Sequence, residues 1–482
     1  MELSGFPLLW PAGELPTEKQ DRRCTVVKDR EFYRTMFKIA VPIALQSLLS
    51  FLVVVADDIM VSLTPDGMFA QAAAAQVNSI TALVTAALTG LVGGSAVLIA
   101  QYWGKKDMER IKQVFAVVMW ICCGVALLVA AALKLFPEAI VGVVIDRADT
   151  RITTLALSYL GIVCLSYIPF AVSTALVGML RTIEVVRITM YIAVYALVSN
   201  ISLNYILIFG KLGLPAMGVK GAALATLLAR LGEMALVLFY TFKVQKEVNV
   251  KPKDFLKLDK LMLKDYLVYG LPVGITDAQW ALIGLLKTAI IGHLGGAFMA
   301  ANSIASSLYN LGTLFTFGLA GGAAVVVGKA VGRGDYDAAK EYSKTIQLLF
   351  VAVGVVMSAA VYLLRVRFTS LYGSSADPEV FRLSVQIIAI MAVTMLGTTY
   401  HASCFVGINR GAGDSRFVAL VDMICGWLIV LPATYLAAFV WKLPLPLVFL
   451  ATRIDQCFKW IIAFVRLRGD KWIKNVTREA AA

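Results

Sequence analysis

Two adjacent carboxylates, Asp57 and Asp58, interrupt an otherwise apolar run that extends from about residue 36 to residue 63. Acids inside a membrane span face an aqueous cavity or an ion path, whereas acids near its end reach outer water. Both readings are open for a pair about two turns before the end of the run. Helix stability does not account for them, because a carboxylate near a helix C-terminus meets the negative end of the dipole. Neighbouring residues project about 100° apart, so only one of the two can face a bundle interior squarely. Asn200 and Asn204 lie one turn apart in another apolar run, where a buried amide needs a hydrogen-bond partner. They can serve as interhelical glue, as ion ligands, or as both. Oxygen ligands suit sodium and a carboxylate that exchanges a proton suits proton coupling, so the residue types do not choose the ion.

Other candidates carry two readings each. Lys287 follows Pro272 by the interval at which Asp57 follows Pro42, which sets a cation opposite an anion; it is either an electrostatic latch or a side chain snorkelling to the headgroups. Arg230 and Glu233 can pair at i, i+3, a structural contact before it is a transport one. His401 is either hydrogen-bonded packing or a proton relay. Phe51, Tyr191, Tyr195, Trp280, Tyr309 and Phe315 could stack on flat cations or face lipid. The cysteines lack zinc-ligand spacing, no nucleophile triad is apparent, and the glycine-rich stretches at Gly90 and Gly318 lack the P-loop lysine. No enzyme, no cofactor and no metal site is expected, apart from a possible sodium ion near Asp57.

The elements that must position these residues are membrane helices. The chain of 482 residues is 59% hydrophobic, 16% charged and has a mean hydropathy of +0.79, which excludes an ordinary soluble domain. Apolar runs of spanning length recur along it. They predict helices over 36–63, 68–103, 114–136, 156–180, 188–210 and 218–242, then over 266–292, 297–328, 345–364, 383–408, 417–440 and 443–465. The expected organisation is a cytoplasmic N-terminal tail (1–30), an N-lobe (31–242), a cytoplasmic linker (243–264), a C-lobe (265–465) and a cytoplasmic C-terminal tail (466–482).

The net charge of +13 does not point to nucleic acid, because the basic residues fall in short connectors instead of on one face. About 31 of them lie in alternate connectors and the termini, and about nine, including Lys134, Arg151, Lys211 and Lys442, in the opposite set. That asymmetry places both termini in the cytoplasm of a multi-pass bacterial inner-membrane protein.

The halves repeat. Gly90, Leu91, Gly93, Gly94, Gly104 and Asp107 recur as Gly318, Leu319, Gly321, Gly322, Gly332 and Asp335, and Val177, Gly178, Arg181 and Arg187 recur as Val406, Gly407, Arg410 and Arg416. Each half starts on the same side after six crossings, so the repeat is parallel about an axis along the membrane normal. The fold class expected is all-α integral membrane, with twelve transmembrane helices in two pseudo-symmetric six-helix lobes around a central cleft. The glycines would let helices approach closely.

Pro42 with Ala56-Asp57-Asp58-Ile59-Met60, Asn200 with Leu203-Asn204-Tyr205, Leu214-Pro215, Gly218-Val219-Lys220-Gly221, Arg410-Gly411-Ala412-Gly413-Asp414 and the closing Lys471-Trp472 with Lys474-Asn475-Val476-Thr477 together resemble the multidrug and toxic compound extrusion (MATE) family, bacterial type. The resemblance covers nearly the whole chain. It implies a V-shaped cleft and export of amphipathic, often cationic, small molecules by antiport against a proton or sodium gradient, with no obligate protein partner and membrane lipids as surroundings. It selects Asp57 over Asp58, and implies that Asn200, Asn204 and Thr226 line the coupling-ion pocket around it. Gln46, Asp58, Tyr195, Asp277, Gln279, Trp280 and Lys287 are the remaining cleft candidates. Two departures stand out: Thr182-Ile183-Glu184-Val185 follows Arg181 where the family has Gly-x-Gly, and Trp280 stands about where several members place a glutamate. A flippase for lipid-linked precursors shares the two-lobed plan but would want a broadly cationic cavity.

Overall fold

The computed structural model describes residues 27, 30–144, 150–371 and 377–478; most of the expected N-terminal tail, Arg147 and the last four residues lie outside them. The described residues form helices and connectors with no strand. This follows from burial in hydrocarbon, where every backbone amide must be satisfied within its own segment. The crossings are α1 (Arg30–Ser62), α2 (Gly67–Lys105), α3 (Met108–Leu135), α4 (Thr150–Thr182), α5 (Arg187–Phe209) and α6 (Gly218–Val244). The second half has α7 (Leu271–Gly292), α8 (Gly296–Gly332), α9 (Tyr336–Ser370), α10 (Pro378–Asn409), α11 (Ser415–Val440) and α12 (Asp455–Arg468).

Several helices run beyond their expected bounds, α1 and α4 each starting six residues early, and in three helices the physical reason for the difference is visible. The third and ninth start about two turns before the apolar runs at 114 and 345, because Asp107 accepts the amide of Arg110 at 3.1 Å and Asp335 that of Ala338 at 3.0 Å. These pseudo-symmetric N-caps stabilise polar first turns. The expected unbroken span over 443–465 is instead Leu445–Ala451, a turn, and then α12. Within α4, a tighter turn at Cys164–Ser166 precedes Pro169, which has no amide to give to the preceding turn. Between the lobes, Pro252–Leu256 forms a short turn whose Phe255 packs on Phe115 and Phe242. Asp259 then caps the helical entry Lys260–Asp265 that leads into α7.

The lobes meet through glycines. A Cβ on Gly94 would stand 2.2 Å from the Gly270 carbonyl oxygen, one on Gly104 would stand 2.2 Å from that of Lys329, and one on Gly332 would stand 1.9 Å from that of Gln101. Backbone thus lies against backbone where α2 crosses α7 and α8. Gly318 presses likewise on Ala44, bringing α8 against α1. All of these contacts fall in the halves of α2 and α8 nearest the chain termini. Val27, Phe32 and Trp472 share one core cluster, so the first and last described segments lie on the same side of the bundle.

Candidate functional site

Between the lobes lies a cavity of about 880 Å³ walled mainly by α1, α2, α4, α5 and α6, with Gly321, Ala324, Val325, Val406, Arg410 and Gly411 from the second half. Asp57 opens onto it from α1, and Asn200 and Thr226 from α5 and α6. Asn204 Nδ2 donates to the Asp57 carboxylate, and the same amide donates to Asn200 Oδ1 at 3.2 Å. One turn of α5 therefore aligns both asparagines on the face opposite α1. Asn204 Oδ1 is buried without a partner, so this corner offers amide oxygens beside a carboxylate. The Thr226 hydroxyl lines the cavity but bonds to the Ala222 carbonyl on its own helix at 3.1 Å. Such an oxygen set can take a small hard cation, and the carboxylate alone can take a proton. No cluster of three or more His, Cys, Asp or Glu side chains that could hold a metal occurs among the described residues.

Deeper in, towards the termini, Gln46 lines the wall, accepts from Arg181 Nη2 through Oε1, and donates to the Thr189 carbonyl at 2.8 Å. Arg230 and Glu233 pair at 2.8 Å on the wall, with the guanidinium over the Phe170 ring. Tyr159 and Tyr167 supply the remaining aromatic surface, their hydroxyls turned to Asn78 and Thr81.

The other expected cleft residues lie elsewhere. Asp58 is off the cavity wall, as the 100° step from Asp57 requires. Tyr195 packs its hydroxyl against Gly232, and none of the six aromatics named from sequence lines the cavity. Asp277 holds Arg410 at 2.9 Å, and Gln279 accepts from Trp427 Nε1 at 3.2 Å. Trp280 lies between two lysines, 4.7 Å from Lys459 Nζ and 5.9 Å from Lys287 Nζ. Lys287 is not on the cavity wall; it reaches the Thr452 carbonyl at 3.4 Å, a group freed by the break before α12. The His401 ring bonds to the Gly397 carbonyl one turn back at 3.0 Å.

A charge cluster inside the C-lobe escaped the sequence reading. Lys459, 2% exposed, pairs with Asp422 and lies 3.8 Å from Asp455, while Arg453 donates to Thr394 and Thr398 and stacks on Tyr309. The available signal was the presence of basic residues within spans. Arg181 and Arg410 were likewise visible as a repeated pair, but not as cavity residues.

Comparison with known proteins matches the MatE family over residues 42–206 and again over 272–436. The doubled match coincides with the internal repeat. Among curated relatives, an uncharacterised transporter, YisQ, of Bacillus subtilis (strain 168) is 23% identical over 444 residues, covering 92% of this chain and 95% of its own. A probable multidrug resistance protein, NorM, of Streptococcus pneumoniae (strain ATCC BAA-255 / R6) is 26% identical over 360 residues, or 72% and 76% of the two chains. A solved outward-facing multidrug resistance MATE transporter of the MOP superfamily superposes with a TM-score of 0.81 at 20% identity, over 94% of this chain and all of that one. A MATE crystal structure in complex with MaL6 gives 0.80 at 20% identity, over 91% and 96%.

Proposed function

The chain belongs to the MatE family of membrane transporters, and we propose that it exports amphipathic small molecules by secondary antiport, with Asp57 as the group that couples export to a proton or sodium gradient. The observation that carries this reading is a carboxylate set in an apolar bundle, held by Asn204 and open to a cavity large enough for a drug-sized molecule. Alternating access requires an ion whose binding changes the relative stability of two forms, since equal binding to both would shift nothing. A carboxylate that is charged in one state and neutralised in the other supplies that difference. Excess Lys and Arg on the terminus side argue for its being cytoplasmic. Closure of the lobes on that side by the glycine contacts then corresponds to a form open to the outside. A pyrophosphate-bearing lipid precursor is a poorer fit, because two of the three cavity arginines are already matched by Glu233 and Asp277.

The test is dye efflux at matched expression in everted vesicles, with proton and sodium gradients imposed separately. Asp57→Asn keeps the shape and removes the charge, so gradient-driven export should fall to background while insertion persists. Asp58→Asn should retain most of it. Full export by Asp57→Asn under the gradient that drives the parent protein would overturn the coupling assignment.

A further inference from the structure

Five charged side chains line the cavity: Asp57, Arg181, Arg230, Glu233 and Arg410. Arg230 is matched by Glu233, and Arg410 by Asp277, which reaches the rim from α7. Asp57 and Arg181 remain. Arg181 makes its hydrogen bond to a neutral oxygen, Gln46 Oε1; Glu233, already paired with Arg230, acts on it electrostatically, but Arg181 has no direct ion pair among the described residues. Its Nε is buried without an acceptor, and so is the Nε of Arg410. The two arginines occupy equivalent places in the repeat, at the terminus-side ends of α4 and α10, and both open onto the same cavity. A guanidinium is a planar fork of five donors that matches a carboxylate geometrically. Leaving such donors buried and unpaired is costly, so the site is built to accept an oxyanion that the chain itself does not provide.

Distance separates this group from the coupling acid. Gln46, which holds Arg181, and Asp57 are on the same helix, and eleven residues of α-helix rise about 16 Å. An occupant of the deep end therefore does not displace the ion from Asp57. The walls between are mainly apolar, with Tyr159, Tyr167 and Phe170, interrupted by hydroxyls such as those of Ser47 and Ser50.

We propose that the exported molecules are carboxylate-bearing amphiphiles, with the carboxylate held by Arg181, Arg410 supplying a second donor, and the apolar body lying along the cavity towards Asp57. Simple lipophilic cations leave the deep arginine unsatisfied and bind less well. This deepens the exporter reading and rests on it, but it is tested by equilibrium binding, which needs no gradient.

The experiment is fluorescence-polarisation titration of the purified full-length protein in detergent with rhodamine B, which carries a free carboxylate, and with its ethyl ester. The parent protein should bind the acid about 10- to 100-fold more tightly than the ester, the range for a charge-assisted hydrogen-bonded pair. In Arg181→Met that ratio should collapse towards one through loss of affinity for the acid. Arg181→Lys, which keeps the charge and loses the fork, should give an intermediate ratio. If Arg181→Met does not fold, the same ratio is read on Arg181→Gln. A parent that binds the ester as tightly as the acid, or a ratio unchanged in the folded variants, overturns the proposal. A preserved ratio in a protein that shows no gradient-driven efflux would instead count against antiport and leave the carboxylate site standing.

Discussion

At the scale of single residues, Glu184 shows how a departure from the family pattern is accommodated. It adopts a left-handed conformation, φ +66°, and its counterpart in the second half, Gly413, does the same at φ +89°. Glycine takes that conformation without steric penalty, whereas another residue loses about 1–2 kcal/mol. What the side chain provides in exchange is a bridge between lobes: it accepts from Trp103 Nε1 at 3.3 Å and pairs with Lys329 on α8. Glu184→Gly should therefore destabilise the protein less than Lys329→Met, although both break the same bridge, because only the first relieves the backbone. Thermal unfolding of both variants in detergent measures the difference; an equal or larger loss in Glu184→Gly would show that the turn carries no strain. The sequence revealed Asp57, Asn200 and Asn204 because polar residues in apolar runs stand out one by one. It did not reveal Arg181 as a cavity residue, because the direction of a side chain at a helix end depends on the neighbouring helix, here on Gln46 of α1.

At the scale of elements, ten helices among the described residues are long and apolar enough to cross a bilayer, and α7 and α12 are not among them. The reason is that α7 carries Asp277, Gln279 and Lys287, and that α12, with Asp455 and Lys459, is only 14 residues long. Packing gives these groups partners, Arg410 for Asp277, Trp427 for Gln279 and Lys459 for Asp455, which a window sliding along one segment cannot register. Lys459 is central: it is the buried partner of Asp422 from α11 and Asp455 from its own helix. Removing it leaves two buried carboxylates without a cation, and breaking a buried pair in this way typically costs about 3–5 kcal/mol. Lys459→Met should thus lower the unfolding temperature sharply. The triple variant Lys459→Met, Asp422→Leu, Asp455→Asn should recover most of the loss, because a network replaced by well-packed neutral groups is often near neutral. If the single variant unfolds as the parent does, the acids are reached by water and the cluster is not a buried one.

For the whole molecule, the two-lobed plan was legible because a repeat is written twice and the same glycines close both halves of the seam. The last ten described residues were legible only as a motif, since nothing in Lys471-Trp472 or Lys474-Asn475-Val476 says what they lie against. In the structure they cross the seam. Gln101 of α2 donates through Nε2 to the Lys474 carbonyl at 3.1 Å and accepts the Val476 amide through Oε1 at 2.8 Å. Arg478 grips Asp265, at the entry to α7, at 2.6 and 2.7 Å. Asp265 belongs to the C-lobe, as do the remaining contacts: the Lys474 amide donates to the Ala412 carbonyl, Asp414 is paired by Arg466 and Lys474, and Trp472 is buried in the cluster that includes α8 and α9. A segment bonded to both lobes on one side stabilises the form in which that side is closed, and alternating access requires those bonds to break. Gln101→Ala removes two of them, together with the direct bond from Nε2 to the Gly411 carbonyl across the seam at 3.3 Å, so it should increase the population open on the terminus side. Spin labels at Lys106→Cys and Arg333→Cys, exposed positions on the two sides of the seam, introduced into a cysteine-free background, report the distance across it by pulsed electron resonance. A longer-distance population that grows in Gln101→Ala is the expected result; a distribution identical to that of the parent, with only a lower unfolding temperature, would reduce the tail to a structural strap that plays no part in the conformational equilibrium.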